Sequence, residues 1–199
     1  MRRELAPDLW LLEGVGREER PTAARRWLAD ALGCSETRVR LRRTTTGKPV
    51  VIDPPGSGFS VSYSGALMLL GLARSGEVGV DLEIVRSDLP LTDVAESFFA
   101  WNEVMFLSTQ PSSLRPLAFY ALWTSKEALL KVAGGGIVSG MREPRLPAER
   151  LTPLLQGGGD VGFQGGGDIS VRVLTRMTGS GPVVAAQAFR EWTPAARRL

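Results

Sequence analysis

The stretch Val78–Val85, VGVDLEIV, sets two carboxylates, Asp81 and Glu83, at alternate positions of a segment rich in β-branched residues. Side chains alternate along a strand, so Val80, Leu82 and Ile84 share one face while Asp81 and Glu83 share the other. Like charges on one face repel. Water over a solvated face relieves that repulsion, and so does a hard cation. Magnesium takes oxygen ligands, commonly one or two carboxylates with substrate phosphates, so the pair reads either as a solvated face or as part of a magnesium site.

A second pattern lies about forty residues on, in ALWTSKEALLKVAGGG. On a helix Trp123, Glu127 and Lys131 are spaced i, i+4, i+8 along one face. Glu127 ahead of Lys131 is also the order of a surface ion pair worth ~0.2–0.5 kcal/mol. The tryptophan on the same stripe favours a packed face, with Glu127 as a further oxygen ligand and Lys131 as a phosphate-binding cation.

Composition narrows the chemistry to these groups. The 199 residues include no histidine, which excludes a Ser-His-Asp triad, a histidine zinc site and an imidazole base. One cysteine, Cys34, cannot form an internal disulfide, which points to a reducing compartment. The basic residues are 21 arginines and three lysines: Lys48, Lys126 and Lys131. Where arginine serves as the general surface cation, a surviving lysine marks a position that needs a compact ammonium.

Net charge is only +3, and it is polarised: residues 1–50 carry 11 basic and 7 acidic groups, residues 51–100 carry 2 and 7. The arginines at 38–43 have no interleaved aromatics, so no nucleic-acid partner is expected. Glu4, Asp8 and Glu13 break up any signal-peptide core. The most apolar run, Ala66–Ala73, falls far short of the ~20 residues of a membrane span. The expectation is a cytoplasmic monomer with no membrane partner.

The elements that must position these groups are legible from periodicity and turn chemistry. Strands are expected at Leu9–Val15, Arg38–Arg43, around FSVSYSG and at Val78–Val85. ALMLLGLAR fits a strand or a short helix, and Gly76 marks a turn. Helices are expected at Arg20–Gly33, Leu91–Phe106 and Leu114–Ala133, the last ending at the glycine run 134–136. TTTGKPV and DPPGSG read as turns, and the glycine runs 157–159 and 165–167 as bounding a loop. Asp168–Arg176 and Gly181–Trp192 form a hairpin. Strands in succession within each half make the fold α+β rather than doubly wound.

Taken in order, these motifs resemble the 4'-phosphopantetheinyl transferase superfamily, in its two-subdomain, surfactin-synthetase-activating type. The resemblance rests on Gly79-Asp81-Glu83, then Phe98-Phe99-Glu103, then Trp123-Lys126-Glu127-Lys131, with Gly47-Lys48-Pro49 upstream. It runs from about residue 17 to residue 190. A Ser-His-Ser-Gly element usual in the family is here Ser62-Tyr63-Ser64-Gly65.

The resemblance implies two pseudo-symmetric subdomains, residues 1–77 and 78–199, each a small mainly antiparallel sheet packed with helices. It implies that Asp81, Glu83 and Glu127 bind magnesium, with manganese as the alternative ion, and that Lys131 contacts the pyrophosphate of the co-substrate coenzyme A. Lys48 and Pro49 would line the adenine and 3'-phosphate pocket. Ser62 and Tyr63 would add phosphate contacts, and Arg17 or Arg20 on the first helix would help. Glu127 and Lys131 would be the catalytic pair. Lys126 is expected as a structural ion-pair partner, and Glu103 fits a solvated helix position as well as a functional one.

The implied reaction moves the 4'-phosphopantetheine arm of coenzyme A to a serine of an apo acyl, peptidyl or polyketide carrier protein, releasing 3',5'-ADP. Two departures fall in the coenzyme-binding half: only about sixteen residues precede the first helix, and tyrosine replaces histidine at 63. They imply a weak or specialised transferase. The alternative is an inactive relative that binds coenzyme A or a carrier protein without transfer.

Overall fold

The computed structural model describes residues 1–134 and 140–192. Of the glycine run expected to end the third helix, Gly135 and Gly136 lie outside the described residues. Strands β1 (Arg2–Ala6), β2 (Leu9–Glu13), β5 (Gly58–Ser64) and β6 (Leu67–Ala73) form one antiparallel sheet in the order β1-β2-β6-β5. Strands β7 (Gly76–Ile84), β8 (Val161–Gln164), β9 (Ile169–Thr178) and β10 (Gly181–Glu191) form a second, in the order β7-β10-β9-β8. A separate ribbon pairs β3 (Arg40–Arg43) with β4 (Pro49–Asp53).

The two sheets pack face to face, and the period of two decides which side chains meet. Leu9, Leu11, Leu67 and Leu69 from the first sheet bury against Val78, Val80, Leu82, Val183 and Ala185 from the second. The opposite face of the first sheet (Met68, Leu70, Leu72) is covered by helix α1 (Arg20–Leu32) through Trp27 and Leu28. The opposite face of the second (Val171, Val173, Val184, Ala186) is covered by helix α4 (Arg115–Val132), with α2 (Leu91–Phe98) and α3 (Trp101–Thr109) beside it. The layers run helix, sheet, sheet, helix: an α+β fold. Strand β6 is sandwiched on both faces, which is why LMLLGLA is apolar throughout and did not declare itself as helix or strand.

Several expectations are corrected. The helix expected over Leu91–Phe106 is two helices: Phe99 and Ala100 take extended backbone (ψ 161 and 154), and the Glu103 carboxylate caps the Ala100 N–H at 2.8 Å. The turn assigned to Gly76 sits one step earlier, at Arg74–Ser75, and Gly76 opens β7. The segment between the two glycine runs contains β8, paired to β9. The turn sequences around residues 44–58 flank β4, whose five residues are too few to show a period. Strand β1 went unread because RRELA is charged; its backbone pairing with β2 defines it. No helix among the described residues is long and apolar enough to cross a membrane.

Candidate functional site

The alternation along β7 directs Val78, Val80 and Leu82 into the core between the sheets, which turns Gly79, Asp81 and Glu83 toward α4. Glycine is required at 79 by proximity. A Cβ there would meet the Ala128 carbonyl oxygen, and would lie 2.9 Å from both the Lys131 Cβ and the Val132 N. Helix α4 therefore rests directly on the strand backbone at this point. The following turn of the strand and the flanking turns of the helix bring Asp81, Glu127 and Lys131 into one electrostatic neighbourhood.

Asp81 is 5% exposed. Its Oδ1 accepts hydrogen bonds from the Lys131 ammonium and from the Ser62 hydroxyl, both at 2.7 Å. Lys131 also donates to the Val80 carbonyl at 2.9 Å and to Ser62 Oγ at 3.4 Å. Glu83 accepts from the Ser64 hydroxyl at 2.9 Å. Burial, reinforced by the neighbouring Asp81 and Glu127 charges and opposed by Ser64 and Lys131, pushes Glu83 up to about 7. Burial likewise raises Glu127, with Asp81 adding to the shift and Lys131 opposing it.

The fit to a cation is decided by unused oxygens. Asp81 Oδ2 and Glu127 Oε1 are buried with no hydrogen-bond partner. Orphaned carboxylate oxygens are costly, and a hard cation is the group that satisfies them without a proton. Among the described residues no three acidic or cysteine side chains are placed so that together they could hold a metal ion. The Lys131 ammonium instead supplies the positive charge at Asp81. The donor set, all carboxylate oxygen, fits magnesium or manganese.

The remaining motif residues do other things. Lys126 and Glu103 are each 0% exposed and paired: Lys126 Nζ reaches both carboxylate oxygens at 2.7 Å and the Pro144 carbonyl at 2.6 Å. Glu103 also accepts the Leu146 N–H at 2.8 Å, which rules out the solvated position weighed from sequence. Lys126 is the structural partner expected. Trp123 stacks on Phe119, with centroids 5.8 Å apart, and meets Phe98 edge-on at 5.9 Å, fixing α4 against α2. Beside Glu83 this leaves a groove of about 480 Å³, lined by Ser64, Glu83, Arg86, Pro90, Tyr120 and Trp123.

The upstream residues are not drawn into the carboxylate cluster. Lys48 pairs with Glu77 at 2.7 Å, and with Pro49 borders a separate pocket of about 290 Å³ that also includes Phe59 and Trp192. Ser62, expected at a phosphate, directs its hydroxyl at Asp81. Tyr63 carries the Arg20 guanidinium 4.3 Å over its ring, while Arg20 donates to the Gly65 carbonyl at 2.7 Å and keeps Nε buried without a partner. Arg17 is exposed. Of the two arginines weighed, Arg17 falls in the turn ahead of the first helix, and Arg20, the helix's first residue, is the one beside Tyr63. A larger cleft of about 650 Å³ lies between the Asp8 and Arg74 turns and the β8–β10 strands, away from every motif residue.

Sequence reasoning missed Glu77, Ser64 and Ser60. The serines left a readable signal, since FSVSYS places one at every second position of a strand next to the motif.

Residues 77–159 match the profile of the 4'-phosphopantetheinyl transferase superfamily. A Synechocystis protein provisionally named as a 4'-phosphopantetheinyl transferase is 37% identical over 131 residues, covering 65% of this chain and 53% of its own. The 4'-phosphopantetheinyl transferase HetI of a Nostoc species is 33% identical over 113 residues, 55% of this chain and 48% of its own. The 4'-phosphopantetheinyl transferase psf-1 of Bacillus pumilus is 38% identical over 96 residues, 48% and 40%. The chain spans about half the length of the curated relatives it matches.

Proposed function

We propose that this chain, which belongs to the 4'-phosphopantetheinyl transferase superfamily through residues 77–159, transfers the phosphopantetheine arm of coenzyme A to a serine of an apo acyl, peptidyl or polyketide carrier protein. The observation that carries the reading is the convergence of Asp81, Glu127 and Lys131 where α4 touches β7 at Gly79, with two buried carboxylate oxygens unpartnered.

Asp81, Glu83 and Glu127 would hold the magnesium or manganese ion, which when bound supplies charge neutralisation at the coenzyme's pyrophosphate. Lys131 contributes an ammonium to the same pyrophosphate. Glu127, held above the usual carboxylate range by burial, takes the proton of the serine hydroxyl. The serine oxygen bonds to the β-phosphorus of coenzyme A, the bond from that phosphorus to the bridging oxygen breaks, and 3',5'-ADP leaves with the electron pair. Such a transfer is mostly positioning and electrostatics, so a chain without histidine suffices. Lys48 and Pro49 hold the adenine end, and Tyr63 with Arg20 the phosphate side. The enzyme acts as a cytoplasmic monomer, with no nucleic-acid or membrane partner.

The test is to incubate the protein with coenzyme A, magnesium and a panel of apo carrier proteins, and to read intact masses. A carrier gaining one phosphopantetheine arm is the expected result. Coenzyme binding with no mass gain on any carrier would leave the alternative of an inactive relative.

A further inference from the structure

Strands β5 and β7 are edge strands of different sheets, yet they run side by side without belonging to a common backbone ladder. Three serines on β5, two residues apart, span the gap. Val80 N–H donates to Ser60 Oγ at 3.0 Å, and Ile84 N–H donates to Ser64 Oγ at 3.1 Å. These backbone donors point away from β10, and each needs an acceptor where β7 is covered. Because Ser64 Oγ already accepts from Ile84, its single hydrogen is free for Glu83 Oε2, at 2.9 Å. Ser62 repeats the arrangement one step along: its oxygen lies 3.4 Å from the Lys131 ammonium and its hydrogen goes to Asp81 Oδ1 at 2.7 Å. Each hydroxyl relays polarity from a fixed donor to a carboxylate, and relays of this kind strengthen both bonds.

We infer that Ser62 and Ser64 are positioning residues for a divalent cation. They fix the rotamers of Asp81 and Glu83 through one oxygen each, which leaves Asp81 Oδ2, buried with no partner like Glu127 Oε1, open to the ion. Ser60, which bonds only the Val80 backbone among these contacts, is a stitch between the sheets and nothing more. The inference deepens the transferase reading and rests on it for the identity of the cation's task, but not for the cation itself. Hydrogen-bonded partners of metal-binding side chains typically contribute 10–100-fold in affinity, by removing the freedom that binding would otherwise freeze.

The experiment is a titration of Mn2+ alone into the full chain and three variants, read by electron paramagnetic resonance of the free ion, with thermal melting alongside. Ser64→Ala is expected to weaken Mn2+ binding by about tenfold or more, and Ser64→Thr, which keeps the hydroxyl, to restore it to within about threefold. Ser60→Ala is expected to lower the melting temperature while leaving Mn2+ affinity unchanged. Wild-type Mn2+ affinity in Ser64→Ala would overturn the inference, as would an equal loss in Ser60→Ala, which would assign the whole effect to sheet stability. Transfer to carrier proteins is scored separately. Loss of Mn2+ affinity in Ser64→Ala with no transfer by the wild type would leave the serine assignment standing and the transferase reading refuted. Transfer by the wild type with unchanged Mn2+ affinity in Ser64→Ala would do the reverse.

Discussion

The neighbourhood of β7 and α4 holds two of the three lysines, Lys126 and Lys131, the neighbourhood of α1, β4 and β5 holds the third, Lys48, and the two are built differently. In the first, every charged motif residue is buried or half-buried and held by neighbours of fixed geometry: Asp81 by Lys131 and Ser62, Glu103 by Lys126 and two backbone N–H groups. In the second, Lys48 is tied to Glu77, Arg20 lies over Tyr63, and Arg17 is exposed. Charge chemistry has been set into a rigid, many-bonded frame on one side and onto half-buried or exposed side chains with fewer contacts, and so more adjustable, on the other.

If that contrast holds, the largest effect comes from the rigid side. Glu127→Gln keeps shape and helix propensity while removing a negative oxygen and the proposed proton acceptor. Transfer is expected to fall by at least about a hundredfold, the scale of losing one preorganised electrostatic group, with melting temperature unchanged. Near-wild-type turnover in saturating magnesium would break the contrast at its centre.

Next in size is the buried pair beneath it. Lys126→Met leaves the Glu103 carboxylate stranded at 0% exposure, a change that costs ~3–5 kcal/mol of stability. Replacing both partners, Lys126→Met with Glu103→Leu, is expected to recover most of that loss, because two apolar groups leave no orphaned charge. Denaturant melts of the two variants decide. A single variant as stable as the double would show that Glu103 finds water, and that the frame is looser than its hydrogen bonds indicate.

These two regions also differ in how far the sequence disclosed them. That Asp81 and Glu83 share a face of one element, and Glu127 and Lys131 a face of another, was legible because a strand period of two and a helix period of 3.6 convert spacing into a shared face; that the two elements touch at Gly79 was not, since the contact is long-range. The break at Phe99–Ala100 was not legible, since its cause is the long-range partnership of Glu103 with Lys126 and Leu146. Glu77 and Arg20 were missed or left undecided for the same reason: their partners, Lys48 and Tyr63, are 29 and 43 residues away in the chain, and no local period encodes them. Strand β1 shows the third limit, backbone pairing that charged side chains conceal.

A smaller effect sharpens the contact between strand and helix. Gly79→Ala pushes a methyl group into the Ala128 carbonyl and the base of Lys131, and overpacking of this kind costs ~1–3 kcal/mol. The helix is expected to lift from β7, so coenzyme affinity and transfer fall together with the melting temperature. A variant that melts early but binds Mn2+ and coenzyme as the wild type does would separate packing at 79 from the site.

The smallest effect belongs to the adjustable side. The Arg20 guanidinium lies 4.3 Å over the Tyr63 ring, an arrangement worth ~0.5–1 kcal/mol when partly solvated. What position 63 supplies is therefore an aromatic face that holds Arg20 in place, and the hydroxyl is secondary; burial raises its pKa, so it stays neutral at physiological pH. Tyr63→Phe keeps the face and is expected to change coenzyme A affinity by less than about twofold. Tyr63→Leu removes it, and the ~0.5–1 kcal/mol then corresponds to a loss of about two- to fivefold. Calorimetric titration of coenzyme A into the two variants checks the order. Should Tyr63→Phe lose as much as Tyr63→Leu, the hydroxyl and not the ring would be the contact, as a neutral donor. Should neither lose affinity, Arg20 would owe its position to the Gly65 carbonyl alone, 2.7 Å from its Nη2.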